Sequence, residues 1–280
     1  MDGPPFESIP LRLAVGGALL AVLFVAEERW PLRARVEPKL VRWARNLAFI
    51  AIGGAALAFT YRPLVLGALA RSASADFGLL HRLTLPPWLA VVAAIVLLDA
   101  TLWVWHVMNH RLPLLWRFHA SHHADLDLDA STAVRFHFGE LLLSVPYRAG
   151  QVALIGVDVG TLFLWETLLL GFTIFHHSNL RLPIAVERAL RAAIVTPRLH
   201  GIHHSTVARE LNSNFGTILT AWDRLLGTFR TGVPQARIQI GLAEIRDPHE
   251  LGLVRALALS FGRSPAIRPR PWRDDASTAR

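Results

Sequence analysis

The chain has 280 residues, of which 52% are apolar and only 18% charged. Soluble domains carry about 25% charged residues, so this composition is typical of a protein partly surrounded by lipid, and the absence of cysteine excludes disulfides, thiolate metal sites and cysteine nucleophiles. The formal net charge of +8 would suit a nucleic-acid partner in a soluble protein, but in a membrane protein it is typical of loops on the cytosolic side.

Several apolar runs follow one another along the chain. They are residues 9–26, 46–70, 86–108, 141–157 and 161–177. The first three are long enough to cross a bilayer, whose hydrocarbon core needs about 20 helical residues. The last two are shorter and are interrupted by Arg148 and Glu166, so we expect a helical hairpin packed within protein, with these two side chains paired. The expected fold is all-α, a polytopic membrane helical bundle.

Basic residues are concentrated on one side of the predicted spans. In the loop 27–45 they are Arg29, Arg33, Arg35, Lys39, Arg42 and Arg45. The loop 62–85 has fewer, and the turn near Asp158 has none. The positive-inside rule then predicts that 27–45, 109–140 and everything after residue 178 lie in the cytosol. We therefore expect a multi-pass protein, of a bacterial inner membrane, and no nucleic-acid partner.

Most of the 13 histidines fall into three short clusters on the predicted cytosolic side. The clusters are His106-x-x-x-His110, His119-x-x-His122-His123 and His200-x-x-His203-His204. Residues three and four apart share one face of a helix, so each cluster can direct its imidazoles at one point. The hairpin would return the third cluster to the face of the other two. Together these imidazoles exceed what one ion needs, which predicts a cytosolic, histidine-rich cap for two metal ions.

The histidines alone leave the class of protein open, because imidazole binds iron, zinc and copper alike. The H-E-x-x-H motif of zinc metalloproteases is absent. A membrane cytochrome would use isolated histidines on facing spans. Besides a redox enzyme, the alternatives are a zinc-dependent membrane hydrolase and a non-enzymatic membrane protein that binds metal or haem.

The segment 99–140, which contains the first two clusters, resembles the fatty acid hydroxylase superfamily, the group of the membrane sterol desaturases. The stretches FHHSNLRLP (175–183), TPRLHGIHHS (196–205) and NSNFGTILTAWDRLLGTF (212–229) extend the resemblance in the correct order. It implies an oxidoreductase with two histidine-bound iron ions that uses O2 to hydroxylate or desaturate a lipid or sterol-like substrate. Electrons would come from an external donor of ferredoxin, cytochrome or reductase type, because no flavin, haem or iron–sulfur segment is recognisable.

The resemblance also implies which residues hold the metal. All histidines of the three clusters would be ligands, and no catalytic residue is expected beyond the ligands. One more ligand would come from the helix before the third cluster, where His177 matches one form of the family pattern and His176 the hydroxylase form; both stay candidates. The hydroxylase branch has another histidine four residues earlier, where this chain has Phe172. His137, in RFHFGE, matches a family position and is a candidate for a ligand or a supporting residue.

Polar residues near the clusters are candidates for supporting the ligands. A ligating imidazole usually donates its other N–H to a carboxylate or carbonyl. Asp99 precedes His106 by two helical turns on the same face. Asn214 and Asp223 lie near the third cluster, and Asp223 has Arg198 or Arg224 as alternative partners.

Three domains are expected from these features. Residues 1–85 would form N-terminal transmembrane helices with the basic loop, and residues 86–230 a fatty acid hydroxylase-like catalytic domain that includes the hairpin. Residues 231–280 would be a cytosolic C-terminal tail, the last part of it disordered.

Overall fold

The computed structural model describes residues 8–269, and this part of the chain is helical. Its α-helices are α1 (Ser8–Arg29), α2 (Lys39–Tyr61), α3 (Gly67–Ser74), α4 (Pro87–Arg111), α5 (Pro113–His123), α6 (Phe138–Ile155), α7 (Val159–His177), α8 (Ile184–Leu190), α9 (Pro197–His203), α10 (Ala208–Leu211), α11 (Ala221–Leu225) and α12 (Leu253–Ala258). Within the described residues there is no β-strand, only isolated bridges such as that of Ser205 with Ile240. The predicted all-α fold is confirmed.

Within residues 8–269, four helical segments are long and apolar enough to cross a membrane. They are Pro10–Arg29, Lys39–Ser74, Pro87–Arg111 and Val159–His177. The first three coincide with the three long apolar runs of the sequence, and the fourth is the second arm of the expected hairpin. This is the pattern of a multi-pass membrane protein.

The second of these segments continues from α2 into α3 through a π-turn at Arg62–Leu66. Pro63 has no N–H to donate, and its ring clashes with the carbonyl that a regular α-helix would place there. The wider turn accommodates the proline without ending the helix. For this reason the apolar run 46–70 forms one continuous helical segment despite its proline.

The start of α2 is buried in an ion network, which explains why this helix begins before the apolar run. The Arg42 guanidinium donates to Asp125 through Nε at 3.0 Å and Nη2 at 2.7 Å, and to Asp129 through Nη1 at 2.5 Å. Burial alone would raise the pKa of Asp125, but the positive charges of Arg42 and Arg135 hold that pKa below its usual range. The network therefore fixes the segment that follows α5 against α2.

The two charges of the hairpin do not form the ion pair expected from the sequence. Glu166, on α7, pairs instead with Arg12 on α1 at 2.7 Å and accepts a hydrogen bond from the Tyr61 hydroxyl. Arg148, on α6, places its guanidinium over the ring of Trp165, 4.2 Å from the ring centroid. The charges of the hairpin are thus satisfied by side chains from α1, α2 and α7.

The C-terminal part of the described chain folds back onto α5. Trp116 donates from Nε1 to the Ala266 carbonyl at 3.1 Å, and the Ser121 hydroxyl donates to the Ala256 carbonyl at 3.1 Å. Leu242 and Leu251 pack in the same apolar cluster as Trp116. Residues 231–269 therefore cover the helix that carries the second histidine cluster. Disorder is expected for the last part of this tail, residues 263–280; of these, Ala266 is buried against Trp116, and residues 270–280 lie outside the described residues.

Candidate metal centre

The first two histidine clusters face each other because the chain turns sharply between α4 and α5. Leu112 is extended, with φ −88° and ψ 122°, and Pro113 is the first residue of α5. A residue before proline avoids the helical region, and proline is favoured at the first helical position. The turn therefore places α5 beside the end of α4, where His106 and His110 lie.

The other histidines come from the ends of two further helices. His176 and His177 are the last residues of α7, and the third cluster lies on α9 and directly after it. Thr196 caps α9, since its hydroxyl accepts a hydrogen bond from the Leu199 N–H, and Pro197 begins the helix. Four helix ends thus converge on one face of the bundle.

Within the described residues, nine histidines form two groups in which all ligand atoms lie within 4.8 Å of one another. The five-histidine group consists of His106, His110, His119, His123 and His203. The four-histidine group consists of His122, His177, His200 and His204. All are buried except His106, which is half-buried. The arrangement forms two adjacent centres, each built from imidazole.

Burial keeps these imidazoles neutral. For His122, His123, His200, His203 and His204, burial, with the neighbouring histidines as a further cause, lowers the pKa well below its usual range. A neutral imidazole carries one N–H and one free lone pair. Metal ions bind the neutral form, so the ligands are in the required state without losing a proton.

Two histidines of the four-histidine group direct lone pairs at each other. His122 donates from Nδ1 to the Arg135 carbonyl at 3.2 Å, and His177 donates from Nδ1 to the Thr173 carbonyl at 2.8 Å. Because a carbonyl only accepts, the single proton of each ring is on Nδ1. The two Nε2 atoms nevertheless lie 3.1 Å apart with no proton between them. Two lone pairs at this distance repel each other unless a cation binds both.

The remaining nitrogen spacings fit the same conclusion. In the four-histidine group, Nε2 of His200 lies 3.0 Å from Nε2 of His177 and 3.1 Å from Nε2 of His204. Imidazole nitrogens lie about 2.0–2.1 Å from a bound ion, so neighbouring ligands at right angles are about 3.0 Å apart. In the five-histidine group, both ring nitrogens of His110 and Nε2 of His203 are buried without a hydrogen-bond partner in the described part of the chain. Both groups therefore fit a metal ion.

One short segment after the third cluster supports three histidines from alternate backbone carbonyls. His203 donates from Nδ1 to the Ser213 carbonyl at 2.8 Å, and His106 donates to the Phe215 carbonyl at 2.7 Å. His176 donates to the Thr217 carbonyl at 3.0 Å. These bonds fix the tautomer of each ring, so that Nε2 is the nitrogen left to bind metal.

The carboxylate of Glu140, a further polar residue near the clusters in sequence, supports a histidine of the second cluster. Nδ1 of His119 lies 2.9 Å from Oε1 of Glu140, at the start of α6. Asn109 lies 3.5 Å from the same oxygen through its Nδ2. A carboxylate partner raises the basicity of the imidazole and orients it. In the sequence, this role is indicated only by the position of Glu140 at the end of RFHFGE, a short distance after the second cluster.

Asp99 and Asp223 do not contact histidines, contrary to the role considered from the sequence. Asp99 accepts from Trp222 Nε1 at 2.8 Å and from the Leu219 N–H at 3.2 Å. Asp223 accepts from the N–H groups of Phe215 at 2.9 Å and Gly216 at 2.8 Å, and it pairs with neither Arg198 nor Arg224. Asp99 is too far along α4 from His106, since seven residues rise about 10 Å.

Two further candidates from the sequence have structural roles outside the histidine groups. Asn214, at a φ of +53°, donates from Nδ2 to the Leu199 carbonyl at 3.0 Å and accepts from the Arg230 N–H at 2.8 Å. His137 caps α6: its Nδ1 accepts from the Gly139 N–H at 2.9 Å, and its Nε2 donates to the Leu257 carbonyl at 3.1 Å. Both ring nitrogens of His137 are therefore used by the backbone.

His176 lies beside the centre but belongs to neither group. Its ring centroid is 4.1 Å from that of His200. The adjacent His177 directs Nε2 into the four-histidine group instead. Of the two alternatives considered from the sequence, the geometry favours His177 as a ligand.

Comparison with known proteins covers the same part of the chain. Residues 91–228 match the family model described as fatty acid hydroxylase. The ornithine lipid hydroxylase OlsE of Rhizobium tropici is 33% identical over 185 residues, which are 65% of this chain and 54% of that protein. Cholesterol 25-hydroxylase of Mus musculus is 28% identical over 143 residues, 50% of this chain and 47% of that protein. Alkylglycerol monooxygenase of Danio rerio is 27% identical over 186 residues, 66% of this chain and 38% of that protein.

These matches are partial in length. The chain spans about half the length of the first two relatives, with 54% and 47% of them covered. No solved structure matches the chain significantly. The relatives are hydroxylases and monooxygenases of lipids or sterols, and thus oxidoreductases. The matched segment contains all three histidine clusters, the α6–α7 hairpin and the supporting segment 213–217, and over residues 91–228 this chain is similar to the fatty acid hydroxylase family.

Proposed function

We propose that this protein is a membrane di-iron oxygenase that hydroxylates a lipid or sterol-like substrate with O2 and electrons from an external donor. The observation that carries the proposal is the pair of facing lone pairs on His122 and His177, 3.1 Å apart, inside a buried set of nine histidines. The names of the relatives favour hydroxylation over desaturation. They also favour an oxidoreductase over a zinc-dependent hydrolase or a non-enzymatic metal protein.

In this proposal each histidine group holds one iron ion. The five-histidine group and the four-histidine group supply the ligands, and His177 rather than His176 completes the second of them. His176, His137, Asp99, Asn214 and Asp223 support the ligands or the backbone around them. This assignment follows the direction of the free ring nitrogens, which are Nε2 wherever Nδ1 donates to a carbonyl.

When bound, two iron ions supply the redox chemistry with O2 that an unactivated C–H bond requires. Conversion of C–H to C–OH consumes one O2, two electrons and two protons and releases one water. The protein's own part is to orient the ligands: carbonyls of residues 135, 173, 213 and 215 and the Glu140 carboxylate hold the Nδ1 protons in place. Burial of the histidines excludes bulk water, and the half-buried side of His106 is where a substrate can approach.

We also propose that the histidine face lies on the cytosolic side of a bacterial inner membrane. The basic loop between α1 and α2 supports this orientation, because loops rich in arginine stay in the cytosol. An electron donor in the cytosol could then reach the same face. The 280-residue sequence contains no cysteine, which is the usual ligand of an iron–sulfur cluster.

The proposal is tested on the full chain purified from iron-supplied cells. We expect two iron ions per chain by metal analysis, O2 consumption with a chemical or protein reductant, and a lipid product heavier by one oxygen atom by mass spectrometry. His203→Ala should lower bound iron and abolish the product, whereas His249→Ala, at an exposed histidine, should change neither. Zinc in place of iron without O2 consumption would contradict the proposal. A product that lacks two hydrogens would replace hydroxylation by desaturation.

A further inference from the structure

A cationic cavity lies beside the metal centre, and neither the family match nor the relatives account for it. Its volume is about 230 Å³. Its charged lining side chains, within the described residues, are Arg33, Arg237, Arg246 and Asp127. Cavities that enclose a whole drug-sized ligand measure about 300–1,000 Å³, so this cavity suits a small charged group rather than a complete lipid or sterol.

Arg33 lines this cavity and has hydrogen-bond donors without a partner among the described residues. Its side chain is only 9% exposed, and Nη1 donates to Gln235 Oε1 at 2.5 Å. Nε and Nη2 are buried without a hydrogen-bond partner among residues 8–269. Burial, together with the charge of Arg198, lowers the pKa of Arg33 to about 10, so the guanidinium is still positive at neutral pH. A buried charged group with two unsatisfied donors is costly and calls for an anion.

The carboxylate in the lining does not neutralise these arginines. Asp127 accepts from the N–H groups of Val36 and Glu37, each at 2.8 Å, and lies 3.8 Å from Nε of Arg42. Asp127 is thus hydrogen-bonded to the start of α2, and although its charge also acts on Arg33 and Arg246, one carboxylate does not cancel three arginines. The net charge of the cavity lining is positive, which favours an anionic ligand.

One wall of the cavity belongs to a loop that joins two candidate membrane spans. Arg33 belongs to the loop between α1, which ends at Arg29, and α2, which begins at Lys39, and both helices belong to candidate membrane spans. Trp30 in this loop is 55% exposed and Val36 is 60% exposed. Exposed aromatic and apolar side chains between basic residues are typical of a membrane–water interface.

Arg33 connects the cavity to the helices that carry His177 and His200, because it forms hydrogen bonds near both of them. The Arg33 N–H donates to Asn179 Oδ1 at 2.9 Å, two residues after His177. Nη1 of Arg33 also reaches the Pro197 carbonyl at 3.4 Å, at the start of α9. A Cβ at Gly201, between His200 and His203, would overlap Nη1 of Arg33, so the glycine makes room for the guanidinium. A ligand in the cavity would thus lie beside the metal centre.

We propose that this cavity binds an oxyanion, a phosphate or carboxylate group, and that a lipid headgroup is its source. Arginine recognises both groups through paired N–H donors. The position of the loop between two spans favours a lipid over a free ion. The inference concerns anion binding and does not depend on which metal the histidines hold.

The test measures binding to the full chain in detergent by native mass spectrometry and thermal shift. The probes are dihexanoyl phosphatidic acid, inorganic phosphate and dihexanoyl glycerol, which has the same chains without the phosphate. The variant Arg237→Gln/Arg246→Gln removes two positive charges from the cavity. The control Arg188→Gln/Arg209→Gln removes two exposed charges elsewhere. We expect phosphatidic acid to bind about tenfold or more weakly to the cavity variant and unchanged to the control.

The probes distinguish the sources of the anion. Tighter binding of phosphatidic acid than of inorganic phosphate supports a lipid headgroup, and equal binding of the two supports a free anion in the same site. The proposal would be overturned if phosphatidic acid bound the cavity variant as tightly as the control. It would also be overturned if dihexanoyl glycerol bound the protein as tightly as phosphatidic acid. Because Arg246 also donates to the Ile240 carbonyl at 2.6 Å, Arg237→Gln alone, at an exposed side chain, serves as a second variant and is expected to show a smaller loss in the same direction.

Discussion

His176 and His177 are adjacent in the chain, but the end of α7 gives them different partners. His177 donates from Nδ1 to the Thr173 carbonyl of its own helix, 2.8 Å away, and its Nε2 lies among three other imidazoles. His176 donates to the Thr217 carbonyl, 3.0 Å away in a different segment. At the scale of the single residue, the acceptor bound by Nδ1 determines where the other nitrogen points.

Replacing each of the two by alanine tests this difference. We expect His177→Ala to lose about one metal ion per chain, because it removes one of four ligands from one group. His176→Ala is expected to keep both ions and to bind them at most about tenfold more weakly, since a supporting contact is lost. Metal analysis of the purified variants measures both. Equal metal loss in the two variants would show that His176 is a ligand as well.

At the scale of the element, the segment 213–217 holds three histidines although it is not helical. Asp223 binds its Phe215 and Gly216 N–H groups, and Asp99 binds the N–H of Leu219 just beyond it. The carboxylates thus act on the histidines through the backbone. They fix the segment, and the segment's carbonyls fix the rings.

Asp223→Asn should therefore weaken the metal centre without touching a ligand. An amide NH2 in place of one carboxylate oxygen would face a backbone N–H, and the unsatisfied donor costs about 1–3 kcal/mol of unfolding free energy. Thermal unfolding and metal analysis measure the effect. Asp247→Asn, at an exposed N-cap where asparagine serves as well, is the matched control and should change neither. Unchanged stability and metal content in Asp223→Asn would refute this role.

The histidine groups were predictable from the sequence, while their support was predictable only in part. Spacings of three and four place side chains on one helix face, which any reader of the sequence can recognise. A backbone carbonyl carries no such signal, because every residue has one. Asp99 and Asp223 were candidates for partners of the histidines and His137 for a ligand or supporting residue, whereas the structure places all three on backbone groups. Sequence proximity to a cluster did not reveal which way these side chains point.

At the scale of the whole molecule, the segment 91–228 is enclosed by other parts of the chain. These are α1, α2 and residues 231–269. Arg42 on α2 joins Asp125 and Asp129, which follow the second histidine cluster directly. Glu27 on α1 accepts from the N–H groups of Ala130 and Asn179, each at 2.8 Å. The membrane spans were predictable from length and hydrophobicity. These long-range pairings were not, because arginines of a basic loop are ordinarily expected to face solvent or headgroups.

The Arg42 network predicts a large effect far from the ligands. Arg42→Met removes the cation that Asp125 and Asp129 share and leaves Asp125 with the longer ion pair to Arg45 at 3.3 Å, which costs about 3–5 kcal/mol of unfolding free energy. The unfolding temperature in detergent should fall accordingly. Arg209→Met, at an exposed arginine, should stay within about 0.5 kcal/mol of the parent. A variant at position 42 as stable as this control would show that the network contributes little.

Metal removal should destabilise the whole bundle, because four helix ends meet at the histidine groups. Free metal at about 1,000 times its dissociation constant contributes about 4 kcal/mol to folding. Chelation should lower the unfolding temperature, and added iron should restore it. The measurement is thermal unfolding before chelation, after it, and after iron is returned. An unfolding temperature that is indifferent to the chelator would contradict a structural contribution of the metal.

Loops on a protein surface ordinarily accept insertions and deletions. We expect the segment 213–217, although it is not helical, to accept neither. Its acceptors for His203, His106 and His176 are the carbonyls of every second residue, and Asn214 between them has a φ of +53°. Adding or removing one residue would displace all three acceptors together. Length variation among related chains should therefore be found before residue 212 or after residue 228, with this stretch constant in length even where its sequence differs.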